Sequence, residues 1–254
     1  MYLLGLWLGD GTKNTPEFES MDPEIIQYLE DYACTHGLRC SYRHRGGSRS
    51  MTIRLSSANN KKKGQASSNP FIEDLRYFGV YDDKDVSGLR IDNINDALNF
   101  LAGLIDTDGS VFKGKGNHKG YVEFTQCESH KGIFDLFVDT ARKLGFRLSV
   151  KKYNSKVTKI YNNRNVTVTE PFYRVRLFDG NYDIPTKISR KKFHFEQGRV
   201  YNKNYSHFKI EYAGRGEYYG FAIDDPKHEF LLADMTIVHN CVPGREGGKP
   251  ATFN

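Results

Sequence analysis

Apolar positions in this chain follow two rhythms. Leu3-Leu4-Gly5-Leu6-Trp7-Leu8-Gly9 and Leu101-Ala102-Gly103-Leu104-Ile105 are unbroken apolar runs with small residues inside them, a composition that predicts helices buried on every side. Each run closes on an acidic residue and a glycine, Asp10-Gly11 and Asp108-Gly109, and the glycine predicts a left-handed or tightly turned stop. An amphipathic helix follows each. Asp22-Pro23 supplies a cap and a first-turn proline for the stripe Ile25, Ile26, Leu29, Tyr32 and Ala33, closed by Gly37. Ile133, Leu136, Phe137, Ala141 and Leu144 form the matching stripe, closed by Gly145. Period two then takes over: Met51, Ile53 and Leu55 alternate with Thr52, Arg54 and Ser56, and Tyr173, Val175 and Leu177 alternate with Arg174 and Arg176.

The order helix, acidic stop, amphipathic helix, strand thus occurs twice, with Asp10 and Asp108 standing 98 positions apart. Strands that are apolar on one face and arginine-bearing on the other predict a sheet packed on helices behind, with basic groups in front. Arg43, Arg45 and Arg49 precede the first of these strands, and Lys151 and Lys152 add charge in the second half. Such a face suits phosphates and guanine edges, although an ordinary solvated sheet face has the same pattern. The segment 56–69, with Lys61, Lys62 and Lys63, reads as a mobile polar loop.

Charge sharpens this picture and excludes little. Across 254 residues the formal net charge is +6 and the pI about 9.0, which favours a polyanionic partner over an acidic one. Cys34, Cys40, Cys127 and Cys241 show no zinc-site spacing. No run approaches the roughly 18 apolar residues that cross a bilayer, so the expectation is an intracellular protein, in the nucleus if its partner is DNA and otherwise in the cytoplasm.

Phosphodiester hydrolysis at neutral pH calls for a divalent cation, and hard cations call for carboxylate oxygens. Asp10 and Asp108 are the candidates, since Gly5, Gly9, Ala102 and Gly103 would let their helices pack closely and bring both helix ends together. A lone Asp-Gly at a helix end is ordinarily only a stop signal; the second copy changes that. Leu101 to Gly109 resembles the LAGLIDADG motif of homing endonucleases, departing from it only at Thr107, and Leu3 to Gly11 is similar to its looser first copy. The resemblance is nearest to fungal intein endonucleases of the vacuolar-ATPase type and the related mating-type switching endonuclease. It implies an α+β fold of two pseudo-symmetric αββαββα repeats, spanning 1–98 and 99–210, that form a saddle over the DNA major groove. It also implies a monomer that makes Mg²⁺-dependent (or Mn²⁺-dependent) double-strand cuts at a long asymmetric site. Gly9 and Thr107 would join Asp10 and Asp108 at the metals. Two lysines of that subfamily assist the metal-bound water, and they match Lys84 and Lys192, with Lys191 an immediate rival of the latter.

From Tyr218 onward the chain changes character and closes on His239-Asn240-Cys241. An asparagine amide can attack its own carbonyl and break the following peptide bond when a histidine assists. Tyr219-Gly220-Phe221, the stretch His228 to Ala233 and Val238 make this region resemble the last blocks of inteins, with His228 as a second assisting histidine. That resemblance implies a fragment of a Hint splicing domain over 211–240 and the start of a host protein over 241–254. It also implies a splicing partner, an N-terminal intein fragment, because the chain opens directly at the first endonuclease motif. Two other functions remain open from the sequence: a degenerate relic that binds DNA without cutting it, and a fragment whose main chemistry is cleavage at Asn240.

Overall fold

The computed structural model describes residues 1–44, 46–47, 49–58, 69–114, 120–154 and 170–195, the backbone alone at 157–161 and 164–168, and, further on, 211–212, 214–215, 223–224, 226–232 and 236–239. It is a mixed helix-and-sheet protein in two compact units, Met1–Gly198 and Arg199–Asn254. The first unit holds both copies of the pattern. No described helix is long and apolar enough to cross a membrane.

Helix α1 (Tyr2–Asp10) is buried from Tyr2 to Leu8. At nine residues it is too short to persist in water on propensity, so its stability comes from the walls around it. Its main neighbour is α4 (Ile94–Asp108), started by Asn93, whose side chain accepts hydrogen bonds from the N–H groups of Asn95 (2.8 Å) and Asp96 (3.2 Å). The two helices meet backbone to backbone. A Cβ added at Gly5 would lie 2.4 Å from the Phe100 carbonyl oxygen, and one at Gly103 would lie 2.3 Å from that of Tyr2.

Each of these helices runs into a four-stranded antiparallel sheet. The first has the order β1 (Gly11–Thr12), β2 (Glu17–Ser20), β4 (Met51–Ser57), β3 (Leu38–His44); the second has β5 (Gly109–Phe112), β6 (Tyr121–Cys127), β10 (Phe172–Asp179), β7 (Arg147–Tyr153). Their registers run in parallel: Gly11 faces Phe18 and Glu17 faces Arg54 in one sheet, while Gly109 faces Phe124 and Glu123 faces Arg176 in the other. Behind the first sheet α2 (Pro23–Thr35) buries Ile25, Leu29 and Ala33, and behind the second α5 (Lys131–Lys143) buries Ile133, Phe134, Phe137, Val138 and Ala141. The Phe124 and Phe137 rings stack 4.3 Å apart. A hairpin of β8 (Val157–Tyr161) and β9 (Arg164–Val168) is inserted between β7 and β10, and α3 (Pro70–Tyr77) follows β4.

Two expectations about helix ends need correction. Gly11 and Gly109 are extended, at φ −79° and −87°, rather than left-handed. Space, not conformation, requires glycine there: a Cβ at Gly11 would meet Trp7 Cδ1 at 2.3 Å, and one at Gly109 would meet Ile105 Cα at 2.6 Å. Asp22 does occupy the N-cap of α2, but its side chain makes no cap hydrogen bond and instead binds the Arg190 guanidinium. The glycines Gly37 and Gly145, by contrast, are left-handed at φ +65° and +79°. Most of the polar 56–69 segment, including Lys61, Lys62 and Lys63, lies outside the described residues.

In the second unit, β11 (Glu229–Leu231) and β12 (Ile237–His239) pair as an antiparallel hairpin in which Glu229 faces His239.

Candidate active site

The close approach of α1 and α4 continues to their C-terminal ends, where a Cβ at Gly9 would fall 2.0 Å from Thr107 Oγ1. Asp10 and Asp108 are the last residues of the two helices. Both are reached by solvent, yet protein crowds much of each carboxyl. Burial first, and the charge of Asp108 second, push Asp10 up to about 7 from the ordinary 3.8, with Lys191 and Lys84 pulling the other way. Burial also raises Asp108, opposed by a hydrogen bond from Gln126 Nε2 at 2.5 Å and by the same two lysines. Two carboxylates and two ammonium groups therefore share one electrostatic neighbourhood.

The lysines are placed by matching geometry. Lys84 Nζ donates to the carbonyls of Leu8 (2.9 Å) and Gly9 (3.4 Å) at the end of α1. Lys191 Nζ donates to those of Ile105 (2.8 Å), Asp106 (2.8 Å) and Thr107 (3.0 Å) at the end of α4. Helix C-terminal carbonyls lack intrahelical partners and carry the negative end of the dipole, so each ammonium is favoured there. Burial nonetheless lowers both amines, Lys84 to about 8. Lys84 also stacks its ammonium 5.1 Å from the Trp7 ring and holds a left-handed backbone at φ +59°, a conformation disfavoured for any residue with a side chain.

This geometry corrects the pairing of Lys84 with Lys192. Lys192 is exposed beside Phe193 and His194, whereas Lys191 is buried against α4. The turn Ser189–Lys191 sends adjacent side chains in different directions, which the run of three basic residues does not reveal. The carbonyls of Gly9 and Thr107 face these ammonium groups, and Thr107 Oγ1 bonds back to the carbonyls of Gly103 and Leu104. Among the described residues, no three His, Cys, Asp or Glu side chains cluster as a ready metal cage.

The sheets distribute the basic residues unevenly. Arg43 lies in β3, ahead of β4 in the chain, and with Arg54 of β4 it flanks Glu17 at 3.5 and 3.0 Å. Arg174 and Arg176 flank Glu123 in the same way at 3.2 and 2.7 Å. Lys151 pairs with Arg174 across the strands and shares that face. Lys152 does not: it sits opposite the buried Tyr173, on the other face, and binds Glu128 at 2.8 Å. One position along a strand reverses the face. Arg49 is exposed in the turn between β3 and β4, and Arg45 lies outside the described residues. Pattern reading missed Glu17, Glu123, Gln126 and the buried carboxylate Asp106; the last had a signal, an aspartate directly after the apolar run Leu101–Ile105 and two residues before Asp108.

Of the splicing candidates, the His228 and His239 rings lie 6.0 Å apart in the second unit, with His228 at φ +52°. Asn240 and Cys241 lie outside the described residues.

A homing endonuclease family model matches residues 86–181, which include α4, Asp108 and the second sheet. The homothallic switching endonuclease of Saccharomyces cerevisiae is 26% identical over 270 residues, covering 94% of this chain. The chain is similar to homing endonucleases. It spans 43% of that relative's length. Among solved structures it is similar to I-DmoI bound to DNA and Ca, with a TM-score of 0.42 and 14% identity over 69% of this chain and 80% of that one. It is also similar to the LAGLIDADG homing endonuclease I-GzeII bound to its DNA target, with a TM-score of 0.32 and 12% identity over 69% and 77%.

Proposed function

We propose that this chain is a metal-dependent, site-specific DNA endonuclease of the LAGLIDADG type, built from two pseudo-symmetric halves that each cut one strand. The observation that carries the reading is the pair Asp10 and Asp108, delivered side by side by helices in backbone contact and each attended by a buried lysine. Two crowded carboxylates, one held near pKa 7 by its surroundings and its neighbour, are the arrangement that a divalent cation relieves. With so few protein oxygens, Mg²⁺ or Mn²⁺ would complete its shell with water and DNA phosphate, as hard octahedral cations commonly do. When bound, the cation lowers the pKa of a water and stabilises charge on the phosphate.

The protein's own contribution is placement. Asp10 and Asp108 fix the cation sites, Gln126 orients Asp108, and Lys84 and Lys191 hold protons at the helix ends, where lowered pKa values let them exchange with a nearby water. Arg43, Arg54, Lys151, Arg174 and Arg176 lie on the open faces of two sheets of matching topology, which we read as the DNA surface. The Arg-Glu-Arg clusters keep side chains extended and partly neutralised before DNA arrives. Action on chromosomal DNA would place the protein in the nucleus.

The test is cleavage of a random-sequence DNA library by the chain with Mg²⁺, followed by recovery of cut sites. We expect double-strand cuts at one long asymmetric sequence. Asp10→Asn and Asp108→Asn should abolish cutting while DNA affinity stays within about tenfold, or roughly 1.4 kcal/mol. A wild-type chain that shifts DNA in gels but cuts nothing would establish the DNA-binding relic instead.

A second activity is favoured by the edge-on pair of His228 and His239 rings, His239 being the residue that precedes Asn240-Cys241 in the sequence. In this intein reading the Asn240 side-chain amide attacks its own carbonyl, expels the Cys241 amine and leaves a succinimide, with His239 assisting the leaving group. Mass spectrometry should detect the released 241–254 peptide, and Asn240→Ala should abolish it.

A further inference from the structure

Asp106 is a carboxylate buried in the motif helix that the cleavage chemistry above does not use. Its exposure is 4%, and it accepts hydrogen bonds from Tyr2 Oη at 2.7 Å and from the backbone N–H groups of Lys187 at 2.6 Å and Ile188 at 3.4 Å. These last two bonds tie α4 to the segment 186–191, whose far end is Lys191. Within that segment Thr186 Oγ1 donates to the Lys191 carbonyl at 3.2 Å, and Lys191 N–H donates to the Ile188 carbonyl at 2.8 Å. The loop is thus closed on itself and fastened to the helix whose last carbonyls receive the Lys191 ammonium. Contacts at its outer side, from Ser189 N–H to the Glu24 carboxylate and from the Arg190 guanidinium to that of Asp22, are exposed, where solvent competes for them. The position equivalent to Asp106 in α1 is Leu8, two residues before Asp10 as Asp106 is two before Asp108. Lys84 is set instead by its own left-handed backbone and by a hydrogen bond from its N–H to the Val80 carbonyl at 2.9 Å.

We propose that Asp106, with Thr186, is a positioning clamp for Lys191 that serves one of the two active sites and not the other. This rests on the nuclease reading for its catalytic consequence, but not for its structural one. A buried charge-assisted tether fixes the loop, the loop fixes the lysine, and the first half achieves the same end by backbone conformation. Losing the clamp should therefore slow one DNA strand's cut and spare the other, which a general loss of stability would not do.

The test has two arms on the full chain. Hydrogen exchange should show the Lys191 amide opening at least tenfold faster in Asp106→Asn than in wild type, with residues 80–84 unchanged. Thr186→Ala, which cuts the same loop without altering charge, should act in the same direction and decides the matter if Asp106→Asn does not fold. Unchanged exchange at Lys191, or an equal rise in both segments, overturns the clamp. In the second arm, a supercoiled plasmid carrying a site selected by wild-type cleavage should accumulate nicked circles with Asp106→Asn, one strand slowed at least tenfold and the other within about threefold. Equal slowing of both strands overturns the one-site assignment. A wild-type chain that cuts neither strand overturns the nuclease reading, while the exchange arm still decides the clamp.

Discussion

A carboxyl group with a pKa near 7 is half protonated in neutral solution, and Asp10 is such a group. Its folded-state value lies above the ordinary 3.8, so the stability its neutral form supplies is complete below about pH 4 and lost as pH rises through about 7. Without metal, Asp10→Asn should therefore melt higher than wild type at pH 8, with the gap narrowing below pH 7 and closing only near pH 4. Solvent access to the carboxyl limits the gain to about 1 kcal/mol, or roughly 2–4 °C in a chain of this size. Thermal melts in EDTA across that range check it, and a wild type that is the more stable at pH 8 would contradict it. Since cations bind the ionised form, Mn²⁺ affinity should rise between pH 6 and 8, measurable by titration calorimetry. The lysines make a sharper residue-level contrast. Lys191→Met should cost at least about 100-fold in cleavage, the scale of a lost proton-transfer group, while Lys192→Met should stay within about twofold; single-turnover rates decide between them.

At the scale of elements, the helix pair is the joint on which the site depends. Alanine at Gly103 would gain about 1 kcal/mol in helix propensity, but its methyl would meet backbone atoms of α1 at 2.3 and 2.6 Å. Backbone cannot swing aside as a side chain can, so overpacking of roughly 3 kcal/mol should win. We expect Gly103→Ala to lower the melting temperature by about 4–8 °C and to impair both strand cuts together. The motif helices, their order and their small residues were legible in the sequence because burial on all sides leaves an unbroken apolar run and close packing leaves glycines. The acidic ends were legible for the same reason, since charges that interrupt such a run stand out. The choice of Lys191 over its neighbour Lys192 and the role of Asp106 were not, because they depend on how a short loop folds back across more than eighty residues of chain. Lys152 was misplaced through an element-level rule: adjacent strand residues point to opposite faces, and the sequence marks the arginines of β10 clearly but not the register of β7 against them.

For the molecule as a whole, two matching sheets with glutamate-centred arginine clusters predict a salt-sensitive DNA surface. Each phosphate contact adds about 0.9 to the slope of log affinity against log salt. Lys151→Ala should lower that slope by about 1, whereas Lys152→Ala, on the opposite face and bound to Glu128, should leave it unchanged. Fluorescence anisotropy over a salt series separates the two. The central claim, that two halves of one chain meet to present a carboxylate each to a shared cation site, is tested most directly by anomalous scattering from Mn²⁺ in crystals of the DNA complex. The account predicts metal peaks within direct ligand distance, about 2.0–2.6 Å, of the carboxyl oxygens of both Asp10 and Asp108. Peaks bound elsewhere, or bare aspartates in a complex that still cuts, would contradict it.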